Sequence, residues 1–143
     1  MKALRFAILF SLLPLFAFAQ SNAPYTDGPV WELTLVRTKH GMGDTYLKSI
    51  SKTFKAVMEA AKKEGIILDY KVLYGIASSP EDFNVLLMVQ TKNMAYRDVA
   101  RERLDPIVTK IEGDTAKQHA TTGARLEMRE VLGEKLMREI YLK

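Results

Sequence analysis

The chain has 143 residues, no cysteine, and 21 basic against 17 acidic side chains, for a formal net charge of +4. That length suits one domain rather than two. The absence of cysteine excludes a disulfide framework, a thiolate metal site, a cysteine nucleophile and a lipid anchor attached through cysteine. Lys2 and Arg5 open a segment that is apolar from residue 6 to residue 19, and Ala17 and Ala19 put small residues at −3 and −1 of a cleavage site. This pattern predicts a secretory signal peptide over residues 1–19, and therefore a periplasmic or secreted location. The apolar run is short of the roughly 20 residues that a membrane span needs. Losing Lys2 and Arg5 leaves 19 basic against 17 acidic side chains, so half of the basic excess belongs to the leader. No later apolar run is long enough to span a bilayer, so no membrane partner is expected after cleavage. Residues 20–29 are polar and carry Pro24 and Pro29, and are expected to be a flexible leader to one domain over residues 30–143.

Residues 30–37 alternate as a strand, with Trp31, Leu33 and Leu35 on one face and Glu32 and Thr34 on the other. Gly41 and Gly43 mark a turn, and Asp44 can cap a helix. Leu47, Ile50, Phe54, Val57, Met58 and Ala61 recur at spacings of three and four, an amphipathic stripe that predicts one helix ending at Gly65. Residues 66–76 and 83–91 alternate as two further strands, the latter apolar on both faces. A second helix is expected from Met94 behind Asn93, with a kink or restart at Pro106, and a short helix over residues 115–122. Residues 125–132 give no clear period. Gly133 reads as a turn, and residues 135–142 alternate as a last strand.

This order predicts an α+β fold: a ferredoxin-like βαββαβ sandwich with a four-stranded antiparallel sheet and helices on one face. Strand parity most simply turns Trp31, Leu33 and Leu35 towards the helices, with Leu68, Val72, Ile76, Val85, Leu87 and Val89. The opposite face then carries Leu73, Leu86, Met88, Met137 and Tyr141 among polar neighbours. Burying about five such side chains removes roughly 400–500 Å² per subunit, worth on the order of 10 kcal/mol. Association costs about 4–15 kcal/mol, so this face is expected to form a homodimer.

The stretch Val36 to Gly41, Gly43-Asp44 and Tyr46-Leu47, with the third strand running into Lys92-Asn93-Met94-Ala95, resembles the dimeric α+β barrel superfamily. Lys62-Lys63-Glu64-Gly65-Ile66-Ile67 and the closing residues 133–139 are similar to uncharacterised secreted bacterial proteins of that type. The resemblance implies two sheets face to face and a small pocket between sheet and helices. The superfamily includes cofactor-free monooxygenases, haem enzymes, lyases and members with no known chemistry, so fold does not select function.

The residues themselves supply little chemistry. His40 and His119 have no ligand partner at metal spacing and read as surface imidazoles, so neither a metal nor a cofactor is expected. No Gly-x-Ser-x-Gly, phosphate loop or complete dinucleotide fingerprint is present. Arg97, Arg101 and Arg103 alternate with Asp98, Glu102 and Asp105, a mixed-charge helix face rather than a nucleic-acid patch. Trp31, Tyr46 and Tyr70 suit ordinary core packing. Alternatively they line a ligand pocket with Glu32, Asn84 and Met88. The expected function is binding of a small ligand or protein partner without catalysis. The alternative is a cofactor-free oxygenase or isomerase with Glu32 or a tyrosine as base.

Overall fold

The computed structural model describes residues 23–143. The expected signal peptide and the first residues of the expected leader lie outside the described residues. The elements run β1 (Tyr25–Thr38), α1 (Gly43–Lys52), α2 (Phe54–Lys63), β2 (Asp69–Tyr74), β3 (Val85–Thr91), α3 (Tyr96–Glu112), α4 (Thr115–Leu126) and β4 (Arg129–Leu142). The strands form one antiparallel sheet in the order β2-β3-β1-β4. This is the ferredoxin-like arrangement that the sequence pattern implied.

Several boundaries differ from expectation. β1 begins at Tyr25 rather than residue 30, because residues 25–27 pair with Ile140, Tyr141 and Leu142. β4 begins at Arg129, and Gly133 sits inside it opposite Leu35, where the ladder shifts register. The glycine marks a bulge instead of a turn. The expected single helix is two, broken at Thr53. There the hydroxyl donates to the Ser49 carbonyl at 3.0 Å and accepts from Arg125 Nη2 at 2.7 Å. Such back-bonding to the preceding turn bends helices. Gly65 ends α2 at φ +66°, as its position suggested. α3 runs through Pro106 without restarting. Asn93 Oδ1 accepts from the Tyr96 amide at 2.8 Å, and Asp114 Oδ1 accepts from Lys117 N at 2.9 Å to open α4.

The largest correction concerns β1. Val30, Glu32, Thr34 and Val36 lie opposite Thr91, Val89, Leu87 and Val85, and this set faces the helices. Val36 and Val85 are fully buried with Tyr46 and Ile50, while Val57, Met58, Ala61, Ile66, Ile67, Ala100 and Ile107 make a second cluster. Trp31, Leu33 and Leu35 therefore point to the open side, opposite to the sequence reading. That reading followed bulk: three large apolar residues outranked a set with glutamate and threonine in its middle. The valines at the two ends of that set decide the face, because they are the ones that meet the helices.

Candidate functional site

Two places in this architecture gather chemistry. The first is the sheet face without helices. The ladder pairs Leu73 with Leu86, Leu86 with Leu35, Met88 with Leu33, and Trp31 with both Gln90 and Met137. Opposed residues share a face, so all of these lie on one surface. Leu73, Met137 and Tyr141 remain more than half exposed. The five residues expected to form a dimer face, Leu73, Leu86, Met88, Met137 and Tyr141, do share this surface, and Trp31, Leu33 and Leu35 enlarge it.

Within that apolar surface sits a small polar cluster. Trp31 Nε1 donates to Glu139 Oε2 at 3.0 Å, and Gln90 Nε2 donates to the same oxygen at 3.3 Å. Lys71 Nζ stands 5.1 Å from the Trp31 ring centroid, in cation–π range. The Glu139 charge holds the Tyr141 hydroxyl above its usual pKa.

The second place is a cleft of about 370 Å³ between β1, β3, β4 and α3. Its lining includes Glu32, Thr91, Arg97, Arg101 and Glu134. Arg97 Nε and Nη2 donate to Glu32 Oε2 and Oε1 at 3.2 and 3.3 Å, a bidentate pair across the seam. The carboxylate beside it raises the Arg97 pKa further. The cleft accounts for the glutamate on the helix-facing side of β1, because Glu32 there meets Arg97 of α3. It also bears on the alternative reading of Glu32. Both Glu32 oxygens are engaged by Arg97, so the geometry does not single it out as a general base. Arg97 was expected to pair along its own helix; it pairs with β1 instead.

The six residues expected to line one ligand pocket do not share a cavity. Trp31 and Met88 are on the open sheet face. Glu32 is in the α3 cleft. Tyr46 is buried in the core, with the Arg129 guanidinium 5.7 Å from its ring. Burial pushes its hydroxyl pKa up, against the opposing charges of Arg129 and Arg125. Tyr70 lies at the β2 edge and donates its hydroxyl to Glu59 Oε1 at 2.5 Å. Asn84 is at the end of the sheet, where it accepts from the Thr38 amide at 2.9 Å and donates to Thr38 Oγ1 at 2.8 Å. The sequence pattern puts Lys71, Gln90 and Glu139 among the polar residues of the face away from the helices, and Arg97 on a mixed-charge helix face, but gives none of them a site role. The first three lie on different strands, and the register sets them side by side. Among the described residues, no cluster of three or more metal-ligating side chains occurs.

A ferredoxin-like α+β domain with one apolar sheet face left open is thus the class of protein defined here. No family model and no curated protein matches the chain. Among solved structures it is similar to HapK from Hahella chejuensis, at 13% identity and a TM-score of 0.50, over 77% of this chain and 91% of that one. It is also similar to a nipsnap family protein of unknown function from Agrobacterium tumefaciens, at 14% identity and a TM-score of 0.48, over 81% and 90% of the two chains. A dimeric ferredoxin-like protein from an uncultured marine organism aligns at 13% identity and a TM-score of 0.43, over 82% and 94%. At such identity the likeness to the first of these shows the ferredoxin-like fold alone. No helix among the described residues is long and apolar enough to cross a membrane.

Proposed function

We propose that the chain is an exported homodimeric domain that binds a small ligand or a protein partner without transforming it. The observation that carries this reading is the open sheet face. Trp31, Leu33, Leu35, Leu73, Leu86, Met88 and Met137 form a contiguous apolar surface around a satisfied polar centre. A second copy laid sheet to sheet would cover it with an identical surface, as a two-fold interface requires. Uncovered apolar patches of this extent mark interaction surfaces. The ligand half of the reading is supported by the α3 cleft, whose charged lining around Glu32–Arg97 suits a small polar molecule. Export rests on the signal-peptide pattern of residues 1–19.

The test is the mass in solution. The parent protein is expected at twice the chain mass by light scattering, and Leu86→Asp at the monomer mass, because the new carboxylate would sit at the centre of the interface. A parent that is monomeric at micromolar concentration overturns the dimer. Native mass spectrometry of protein purified from its own compartment tests the ligand; retained extra mass is expected, and bare chain alone speaks against it.

A further inference from the structure

On the helix side of the sheet, at the β2 edge, the break between α1 and α2 leaves a groove of about 210 Å³. Leu47, Ile50, Phe54, Tyr70 and Val72 line it, and its wall is almost wholly apolar. The Phe54 and Tyr70 rings meet edge to face at 5.9 Å and form one end. Three polar groups touch the groove, and two are already engaged. The Tyr70 hydroxyl is committed to Glu59, and Ser51 Oγ donates to the Lys48 carbonyl at 2.8 Å. The third, the exposed Lys55 ammonium, has no hydrogen-bond or ion-pair partner among the described residues. Lys55 is the one charged residue lining the groove, and the nearby Glu59 carboxylate already accepts from the Tyr70 hydroxyl. An apolar slot with a single unpaired cation at its edge is therefore the chemistry on offer.

We propose that this groove binds a small amphiphilic anion, a medium-chain or aryl carboxylate, with its apolar body against Leu47, Ile50 and Val72 and its carboxylate at Lys55. The volume is below the roughly 300–1,000 Å³ of drug-sized sites, so the occupant is fragment-sized. The walls offer no free hydrogen-bond donor along their length, so a polar body would be desolvated without compensation. The groove shares no residue with the open sheet face or with the α3 cleft. It rests on the reading of the chain as a binding domain and is independent of dimerisation.

The probe is octanoate, with octanol as its uncharged counterpart, titrated into the full chain while the methyl resonances of Leu47, Ile50 and Val72 are followed by NMR. Octanoate is expected to shift these methyls with a Kd on the order of 1 mM, as suits so small a ligand, and to leave those of Val36 and Val85 in place. Lys55→Gln should weaken octanoate at least five-fold and leave octanol unchanged. Val72→Trp, which fills the groove from an exposed strand position, should abolish both. No groove shift up to roughly ten times that Kd overturns the proposal, as does an equal effect of Lys55→Gln on both probes. Groove shifts that follow protein concentration alone also overturn it, because a second copy would then be the occupant. The mass measurement decides the dimer separately, so the two failures are distinguishable.

Discussion

Trp31 and Glu139 meet across the β1–β4 ladder, the indole N–H donating to a carboxylate oxygen at 3.0 Å on an otherwise apolar surface. Gln90 reaches the same oxygen from β3, so one acid ties three strands. Removing the acceptor leaves two donors without a partner on a face that a second copy would dry. Glu139→Leu is therefore expected to move the Trp31 indole N–H resonance and to weaken self-association by about 1–3 kcal/mol. Sedimentation at several concentrations measures the second effect, and an unchanged dimer constant would show that the cluster lies outside the interface.

The face assignment of β1 is testable without any partner. Val36 is fully buried with Val85, while Leu35 beside it points to the open face. Val36→Ala should lower stability by about 2 kcal/mol through lost burial and cavity formation. Leu35→Ala, although it removes more carbon, should cost less than that in the isolated monomer. Urea unfolding of both variants in the Leu86→Asp background reads the difference, and the reverse order would restore the parity first read from the sequence.

Arg125 and Glu112 form the most enclosed ion pair described, at 3.4 Å with side chains 16% and 12% exposed. The same guanidinium donates to Thr53 at the α1–α2 break. Arg125→Ala leaves the Glu112 carboxylate without its cation and should cost about 3–5 kcal/mol. Replacing both, Arg125→Met with Glu112→Leu, should recover most of the loss. A single variant that unfolds at the parent urea midpoint refutes the assignment.

Tyr70 provides a pH signature. Its hydrogen bond to Glu59 holds its pKa up to about 12. A pKa raised in the folded state means that the contact stabilises fully below the unfolded value of about 10, and that this contribution is lost as pH rises through the folded value. Phenolate absorbance should show late-titrating tyrosines, Tyr46, Tyr70 and Tyr141, and Glu59→Gln should return the Tyr70 component alone towards its usual value of about 10. A titration that Glu59→Gln leaves unaltered contradicts the contact.

The topology was legible because period-two and period-3.6 patterns survive in single elements, and the glycine at 65 punctuates as its free φ allows. The α1–α2 break was hidden because one of the two contacts that hold it, Arg125 reaching Thr53, comes from 72 residues away. Gly133 was misread because a bulge and a turn ask for the same small residue. The site was less legible than the fold. Residues such as Glu32 and Trp31, adjacent in sequence, were assigned to one pocket, although strand geometry must send them to opposite sides of the sheet.

The strand that opens the described domain is completed by the strand that closes it, from Thr38 opposite Arg129 to Tyr25 opposite Leu142, and the Lys143 amide donates to the Pro24 carbonyl. Such ladder pairs bring distant parts of the chain together, so loop closure precedes contact and folding is slowed by topology. Until β4 arrives, β1 is an edge fourteen residues long with large apolar side chains on one surface, a template for pairing between chains. A molecule clipped near its C-terminus would keep both helical clusters yet expose that edge permanently. The last strand thus replaces the β1 edge by its own, and that edge is studded with the charges of Glu130, Glu134, Lys135, Arg138 and Glu139, which discourage pairing with another chain.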